Sequence, residues 1–109
     1  MKKLIIATLI TISMSVFATE SSSLSKVKRI IAYSEYGDGD VAIVLESNGA
    51  TCVNGYFLKK SDPGFDANFS MVLAAYHSKS AIKVLGHTDQ KWAGSSGYYC
   101  HAYSIIYGD

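Results

Sequence analysis

The first 18 residues limit what this chain can fold into more than any other feature, because they are not expected to belong to the folded domain. Two lysines precede an uncharged, mainly apolar run from Leu4 to Phe17, and a small residue follows at Ala18. This order is typical of a secretory signal peptide that is cleaved after Ala18. The run of about 14 residues is shorter than the roughly 20 that a membrane-spanning helix needs. The sequence predicts a signal peptide at 1–18 and a secreted or periplasmic mature domain; a retained N-terminal anchor is the alternative.

Removal of this segment changes the charge balance of the chain. Ten Lys and Arg face nine Asp and Glu in the full sequence, but two of the lysines precede Leu4. The mature chain therefore has eight basic and nine acidic side chains, a net charge of −1. Proteins that bind nucleic acids carry a strong basic surplus, so nucleic acid is not the expected partner. The single basic cluster, Lys26, Lys28 and Arg29, is interpreted as the solvated start of a strand.

The two cysteines, Cys52 and Cys100, predict one structural disulfide, since an even and minimal cysteine count in an exported protein usually means a bridge. Closing a loop of about 50 residues stabilises a fold by about 4 kcal/mol in the chain-entropy model. A domain this small has a thin stability margin without such help. A catalytic redox pair is less favoured because catalytic dithiols are usually close in sequence.

Regular structure is expected from residue 27 onward, after a flexible polar lead at 19–26. β-Branched and aromatic runs separated by glycine-rich turns indicate strands, and Phe65, Phe69, Val72 and Tyr76 recur at helical spacing. The predicted strands are 27–34, 41–46, 50–58, 81–85 and 98–107, the predicted helix is 63–77, and a long loop is predicted at 86–97. The strand at 41–46 is apolar at nearly every position and is expected to be covered on both faces.

Three local details are also expected. Gly37 and Gly39 are available for positive φ in the turn at 36–40. Ser61 or Asp62 is a candidate to cap the helix, with Pro63 at its first position. Alternation along the last strand places Ala102, Ser104 and Ile106 on one face and His101, Tyr103, Ile105 and Tyr107 on the other.

The order β-β-β-α-β-β predicts a single mainly β domain with one helix (α+β) at 27–109. One helix between the third and fourth strands of a five-stranded antiparallel sheet is the order of the OB-fold barrel. An open sheet with one packed helix is the main alternative.

Patterns that indicate catalysis or metal binding are weak. Gly94-Ser95-Ser96-Gly97 lacks the spacing of a nucleophile elbow. Cys100 and His101 are neighbours on a strand, so their side chains point to opposite faces and cannot form a Cys–His pair. The three histidines are not spaced as zinc ligands. We therefore expect no enzyme activity, no cofactor and no metal.

The surface chemistry of the chain is aromatic and hydroxylic, with eight Tyr, four Phe and one Trp. Such residues suit sugar binding, where rings stack on the apolar face of a pyranose, and they equally suit a protein interface. Packing in the core or at the rim of a small sheet is the competing explanation. The candidate ligand-binding residues are Tyr36, Trp92, Ser95, Ser96, Tyr98 and Tyr103.

Several stretches resemble known secreted proteins: Gly39-Asp40-Val41 through Cys52, Ser61-Asp62-Pro63-Gly64-Phe65, Leu73-Ala74-Ala75, and Trp92-x-Gly94-Ser95-Ser96 before Cys100. Together they resemble a family of small secreted proteins of gammaproteobacteria with no characterised function. The element order and the cysteine pair resemble the small OB-fold B subunits of AB5 toxins, of the pertussis-like and subtilase-cytotoxin types. This second resemblance implies a ring-forming homo-oligomer that binds glycans without catalysis, and it carries over no individual site residue.

The sequence thus predicts an exported, non-enzymatic binding module that recognises a glycan or another extracellular ligand. The alternative is a periplasmic protein-interaction or inhibitor domain that uses the same aromatic surface against a protein partner. A small hydrolase is disfavoured because no nucleophile or acid–base pair is recognisable.

Overall fold

A computed structural model describes residues 18–108 and shows a mainly β domain with one helix and one disulfide, as predicted. The predicted signal peptide lies outside the described residues except for Ala18. The elements are β1 (Thr19–Ser21), β2 (Ser25–Ala32), a 3₁₀ turn (Tyr36–Asp38), β3 (Val41–Leu45), β4 (Gly55–Leu58), α1 (Phe65–Ser78), β5 (Ala81–Lys91) and β6 (Tyr99–Tyr107). Between residues 18 and 108 no helix combines the length and the apolarity needed to cross a membrane.

Five of the strands pair in a ring. β2 pairs with β3, β3 with β4, β4 with β6, β6 with β5, and β5 returns to β2, while β1 lies alongside β5. All of these pairs are antiparallel except β4–β6, which is parallel, so the prediction of a wholly antiparallel sheet was wrong for this pair. A parallel pair requires a long crossover, and α1 together with β5 supplies it.

The ring encloses the main apolar core, and side-chain alternation explains its composition. Along β3, Val41, Ile43 and Leu45 point inward and are at most 3 % exposed. Ala42 points to the opposite face and is also buried, which confirms that this strand is covered on both faces. The inner core also contains Val27, Cys52, Tyr56, Leu58, Phe65, Val72, Ala75, Ile82, Val84, Cys100, Ala102 and Ile105.

A bulge in β6 changes which side chains face outward. Leu85 pairs with Ser104 and Gly86 with Ala102, so Tyr103 is the extra residue in the ladder. Ala102 and Ile105 are consequently both buried, while Tyr103 is 61 % exposed. The simple alternation predicted for this strand, with residue 105 on the face opposite residue 102, was wrong for this reason.

β5 continues to Lys91, well past the predicted end at residue 85. Gly86 suggested a strand end, but its role is to admit the ring of Tyr56. A Cβ at this position would lie 2.8 Å from that ring and 3.0 Å from the Cβ of Cys100. The glycine therefore marks a close approach of packed side chains inside a strand.

The helix begins at Phe65, two residues later than predicted. Asp62 was a candidate capping residue, but its carboxylate contacts His101, and Gly64 caps the helix without a side-chain hydrogen bond. The Phe65 N–H instead donates to the Asp62 carbonyl oxygen at 3.1 Å. Pro63 consequently lies in the turn before the helix.

The segment 19–26, predicted to be a flexible polar lead, is folded. Thr19–Ser21 forms β1 against β5, and β2 begins at Ser25. Ser22 is 3 % exposed, and its hydroxyl accepts the Val84 N–H at 2.9 Å. Hydrogen bonds to β5, rather than apolar side chains, hold this segment in place, so the prediction of a mobile lead was wrong.

Glu20 ties β1 to the loop that carries Cys52. Its carboxylate accepts the Thr51 N–H at 2.9 and 3.1 Å and the Cys52 N–H at 3.4 Å. Burial by itself would raise the pKa of this carboxyl group, but the hydrogen bonds from Thr51 and Cys52 outweigh it, and the pKa of Glu20 is lowered.

Because the folded pKa of Glu20 lies below its unfolded value of about 4.3, the ionised carboxylate contributes its full stabilisation above that value. This contribution is lost as the pH falls through the folded pKa. Because solvent screens this largely exposed carboxylate, we expect Glu20→Gln to lower the free energy of unfolding by only about 0.5–1 kcal/mol at neutral pH and to have a smaller effect at pH 3. Urea unfolding between pH 3 and pH 7 measures this, with the exposed Glu35→Gln as control. An equal loss at both pH values would contradict the prediction.

The predicted disulfide is confirmed. Cys52 and Cys100 are bonded, their Cα atoms are 5.4 Å apart, and both residues are fully buried. The bridge therefore joins the loop before β4 to a residue of β6 that is itself part of the parallel β4–β6 pair.

Candidate functional site

A second apolar cluster lies on the outer face of the ring. It consists of buried Ala42, Phe57 and Trp92, with Ile31, Tyr33 and Tyr99 packed against it. Ala42 and Phe57 are cross-strand partners on β3 and β4. Because their chain neighbours point into the inner core, these side chains face outward. This part of the outer face is therefore largely aromatic.

Trp92 forms the base of this cluster. Its ring is 4 % exposed and stacks on Phe57 with centroids 5.8 Å apart. The indole Nε1–H donates to Asp40 Oδ2 at 3.2 Å, and Asp40 Oδ1 accepts the Lys60 N–H at 3.0 Å. With both carboxylate oxygens of buried Asp40 engaged, Trp92 is held as a fixed floor and does not present an open face.

Replacement of Asp40 by asparagine tests this anchoring. The amide retains one acceptor oxygen, but its NH₂ group must face either the Trp92 Nε1–H or the Lys60 N–H. We expect a loss of about 1–3 kcal/mol of stability because one buried donor loses its partner. Trp92 is the only tryptophan, so its fluorescence emission should also change. Asp38→Asn in the same turn is the control, and identical unfolding midpoints and emission spectra for the two variants would contradict the prediction.

An open groove of about 560 Å³ lies over this cluster, and we call it the aromatic groove. Tyr36 and the turn around it line the groove, as does the segment 90–93. Phe57 on β4 and His101 on β6 also line it. Lys59, Gln90 and Lys91 bring polar groups to the same groove.

Tyr36 is the exposed ring of the aromatic groove. It is 43 % exposed and meets Trp92 edge-on, with centroids 5.4 Å apart and an interplanar angle of 89°. The turn that carries it has positive φ at Gly37 (61°) and Gly39 (113°), as the two glycines predicted. A Cβ on Gly37 would lie 2.1 Å from Asp40 Oδ2, so the turn packs closely on the carboxylate that holds Trp92. The exposed ring is therefore held by a tightly packed turn.

His101 lies at the far end of the aromatic groove and is fixed on both sides. Its Nε2 is 2.5 Å from Asp62 Oδ2, and its Nδ1 is 2.7 Å from Gln90 Oε1. Its ring also stacks on Phe57 with centroids 5.1 Å apart and an interplanar angle of 22°. These contacts set the orientation of the imidazole ring.

A second, smaller groove of about 260 Å³ lies on the other side of His101, and we call it the helix-side groove. Asp62 lines it from the turn before α1 and Asn68 from α1 itself. His87, His101 and Tyr103 line it from the sheet. The ring of His87 contacts both of the other sheet residues, with centroids 5.5 Å from His101 and 5.1 Å from Tyr103. The two grooves therefore share His101.

The structure brings together only half of the residues predicted to bind a ligand. Tyr36 and Trp92 lie in the aromatic groove, and Tyr103 lies in the helix-side groove. The remaining three, Tyr98, Ser95 and Ser96, line neither groove. Tyr98 packs against the inner core and its hydroxyl donates to the Thr88 carbonyl oxygen, while Ser95 Oγ accepts the Gly97 N–H at 3.1 Å.

Other residues of the grooves were not among the predicted ligand-binding residues. Phe57 and His101 were placed on strands with no assigned role, and Gln90 and Asp62 lay in a predicted loop and a predicted helix cap. The apolar alternation of β4 gives an outward position for Phe57, but its contact with His101 depends on the parallel pairing of β4 with β6.

Comparison with known proteins gives no relative for this chain: no protein-family model, curated protein or solved structure matches it. Between residues 18 and 108, no three His, Cys, Asp or Glu side chains are grouped so that they could hold a metal ion. The grooves are therefore the basis for inferring a function.

Proposed function

We propose that this chain is an exported, non-enzymatic binding module that recognises glycans through the aromatic groove. The exposed ring of Tyr36, held edge-on by Trp92 beside Lys59, Gln90 and Lys91, is the observation that carries this proposal. Sugars have an apolar C–H face and a polar hydroxyl edge. An aromatic ring suits the first, and convergent polar side chains suit the second.

The strand ring supports the view that the fold is an OB-like barrel. Its five strands and the helix between the third and fourth of them agree with the element order of that fold. A buried disulfide also suits a protein of the periplasm or the extracellular space, where such bonds persist. If the resemblance to AB5 toxin B subunits holds, several copies of this chain also assemble into a ring-shaped homo-oligomer. Native mass spectrometry tests this assembly: a pentamer supports it, and a monomer at micromolar concentration removes it.

The positions of two titratable groups, His101 and Asp40, agree with a function without catalysis. Both ring nitrogens of His101 lie within hydrogen-bond distance of fixed side chains, and both carboxylate oxygens of Asp40 accept hydrogen bonds. A general acid or base must be able to reach a substrate proton. These two groups are instead committed to holding the grooves in shape.

Glycan binding should depend on Tyr36. We expect Tyr36→Ala to weaken binding on an array of neutral and acidic glycans at least tenfold, because the exposed ring of the groove is removed. Tyr76→Ala is a matched control: Tyr76 has nearly the same exposure, 44 %, but it lines a separate cavity between β2 and the end of α1. Trp92→Ala is a poorer test because it removes a buried ring and would destabilise the fold. Failure of the wild-type chain to bind any glycan, or equal binding by Tyr36→Ala, would overturn the proposal.

The alternative is a periplasmic protein-interaction or inhibitor domain. The exposed tyrosines at residues 36 and 103 favour it, since tyrosine is enriched at the centres of protein interfaces. A silent glycan array, together with a co-purifying protein whose binding is lost in Tyr36→Ala, would support this second function.

A further inference from the structure

The aromatic rings of the two grooves form one continuous row across the outer face. In order along the row they are Tyr36, Trp92, Phe57, His101, His87 and Tyr103, and neighbouring centroids are 5.1–5.8 Å apart. The two ends of the row are the most exposed, with Tyr36 at 43 % and Tyr103 at 61 %. The middle of the row is mostly buried, with Trp92 at 4 % and Phe57 at 7 %. The row thus presents two separate exposed rings on a rigid base.

His101 lies at the boundary between the two grooves. It lines both the aromatic groove and the helix-side groove. Its contacts with Asp62 and Gln90 hold it on two sides, so it is a fixed boundary between them. A molecule lying along the row would therefore cross His101 and occupy a groove on each side.

The polar groups that line the two grooves differ. The aromatic groove has two ammonium groups, those of Lys59 and Lys91, which only donate hydrogen bonds. The helix-side groove has the carboxylate of Asp62 and the amide of Asn68. Asp62 gives one oxygen to His101, is about one-third exposed, and retains capacity to accept hydrogen bonds from hydroxyl groups. Each groove therefore combines an exposed tyrosine with its own set of polar groups.

We infer that the ligand is an oligosaccharide long enough to extend from Tyr36 to Tyr103, with at least one sugar unit on each side of His101. This inference rests on the proposed glycan-binding function and adds the helix-side groove as a second subsite. Tyr36 contacts the unit in the aromatic groove, and Tyr103 contacts the unit in the helix-side groove. Asp62 and Asn68 accept and donate hydrogen bonds to the hydroxyl groups of the second unit.

The test compares saccharide lengths. A glycan array of saccharides with one to six units selects the strongest binder, and titration calorimetry then measures that glycan and its truncated forms down to one unit. For the wild-type chain, we expect affinity to rise at least tenfold from a single unit to a saccharide long enough to reach both Tyr36 and Tyr103. Tyr103→Ala should lower this gain, the ratio of the affinity for the long saccharide to that for the single unit, at least threefold. Tyr36→Ala should weaken binding of the long saccharide at least tenfold. Tyr76→Ala, outside the row, should behave as the wild type.

Two results would overturn the inference alone: a single unit that binds as tightly as its oligomers, or a Tyr103→Ala variant that keeps the full gain from chain length. If Tyr103→Ala unfolds at a lower temperature than the wild type, Asn68→Ala replaces it, because Asn68 lines the same groove from the helix. Asn68→Ala should lower the gain from length at least threefold, and an unchanged gain would count against the second subsite. A chain that binds no glycan of any length contradicts the proposed function itself.

Discussion

Replacing Cys52 and Cys100 together by alanine is expected to lower the free energy of unfolding by about 4 kcal/mol. The bridge closes a loop with a sequence separation of 48 residues, so its loss greatly increases the conformational entropy of the unfolded chain. Domains of this kind are stable by only about 5–15 kcal/mol in total. The variant should therefore have a large unfolded fraction at moderate denaturant concentrations where the wild type is folded.

Guanidinium unfolding followed by circular dichroism measures this effect. The wild type in the presence of a reductant is the matched comparison, because it loses the covalent bond but keeps both sulfur-containing side chains. We expect the reduced wild type to lose most of the same stability, with a further small loss in the double alanine variant from the cavity left in the core. A loss below about 1 kcal/mol in both samples would show that the bridge does not stabilise the fold as the entropy model requires.

The second large effect is expected at Gly55, the first residue of β4. Its φ is 138°, and a Cβ there would lie 2.3 Å from the carbonyl oxygen of Ile43 and 3.3 Å from the ring of Tyr99. Gly55→Ala therefore combines a disfavoured backbone conformation with a clash against the backbone of β3. We expect a loss of about 3 kcal/mol or more, because each of these effects costs about 1–3 kcal/mol.

Gly39→Ala separates the cost of the backbone conformation from the cost of the clash with β3. Gly39 also has a positive φ, 113°, but the nearest atom to its added Cβ is a side-chain carbon of Lys60 at 3.6 Å, an ordinary contact distance. It should therefore show only the cost of the backbone conformation, about 1–2 kcal/mol. Denaturant unfolding of the two variants provides the comparison, and equal losses would mean that the clash with Ile43 is relieved by movement of β3.

Local patterns predicted much of this fold correctly. Four features depend only on neighbouring residues or on composition: the apolar run of β3, the glycine turn after Tyr36, the helical spacing from Phe65 and the cysteine pair. β1 could not be found in this way, since Thr19–Ser21 has no apolar pattern and is held by backbone hydrogen bonds to a strand far along the chain. The bulge at Tyr103 could not be predicted from the sequence for a similar reason, because it arises from the pairing of β6 with β5.

The candidate site was partly predictable by residue type. Tyr36, Trp92 and Tyr103 were expected to contribute to a ligand surface, and all three lie in the row of rings. The connection between them was not predictable, because it depends on the parallel pairing of β4 with β6, which sets Phe57 opposite His101. The sequence predicts which aromatic residues contribute, but their contacts with one another depend on the pairing of the strands in the ring.

The ring also determines the order in which the chain can fold. β2 can pair at once with β3, but Thr19 pairs with His87 and Ser25 with Ile82, so β1 and the start of β2 have to wait for β5, and β6 must follow before the ring closes. Contacts between residues so far apart in sequence place folding in the range of milliseconds to seconds rather than microseconds. During that interval the edges of β1 and β2 are open to pairing with other chains. Refolding yields should accordingly fall steeply as the protein concentration rises.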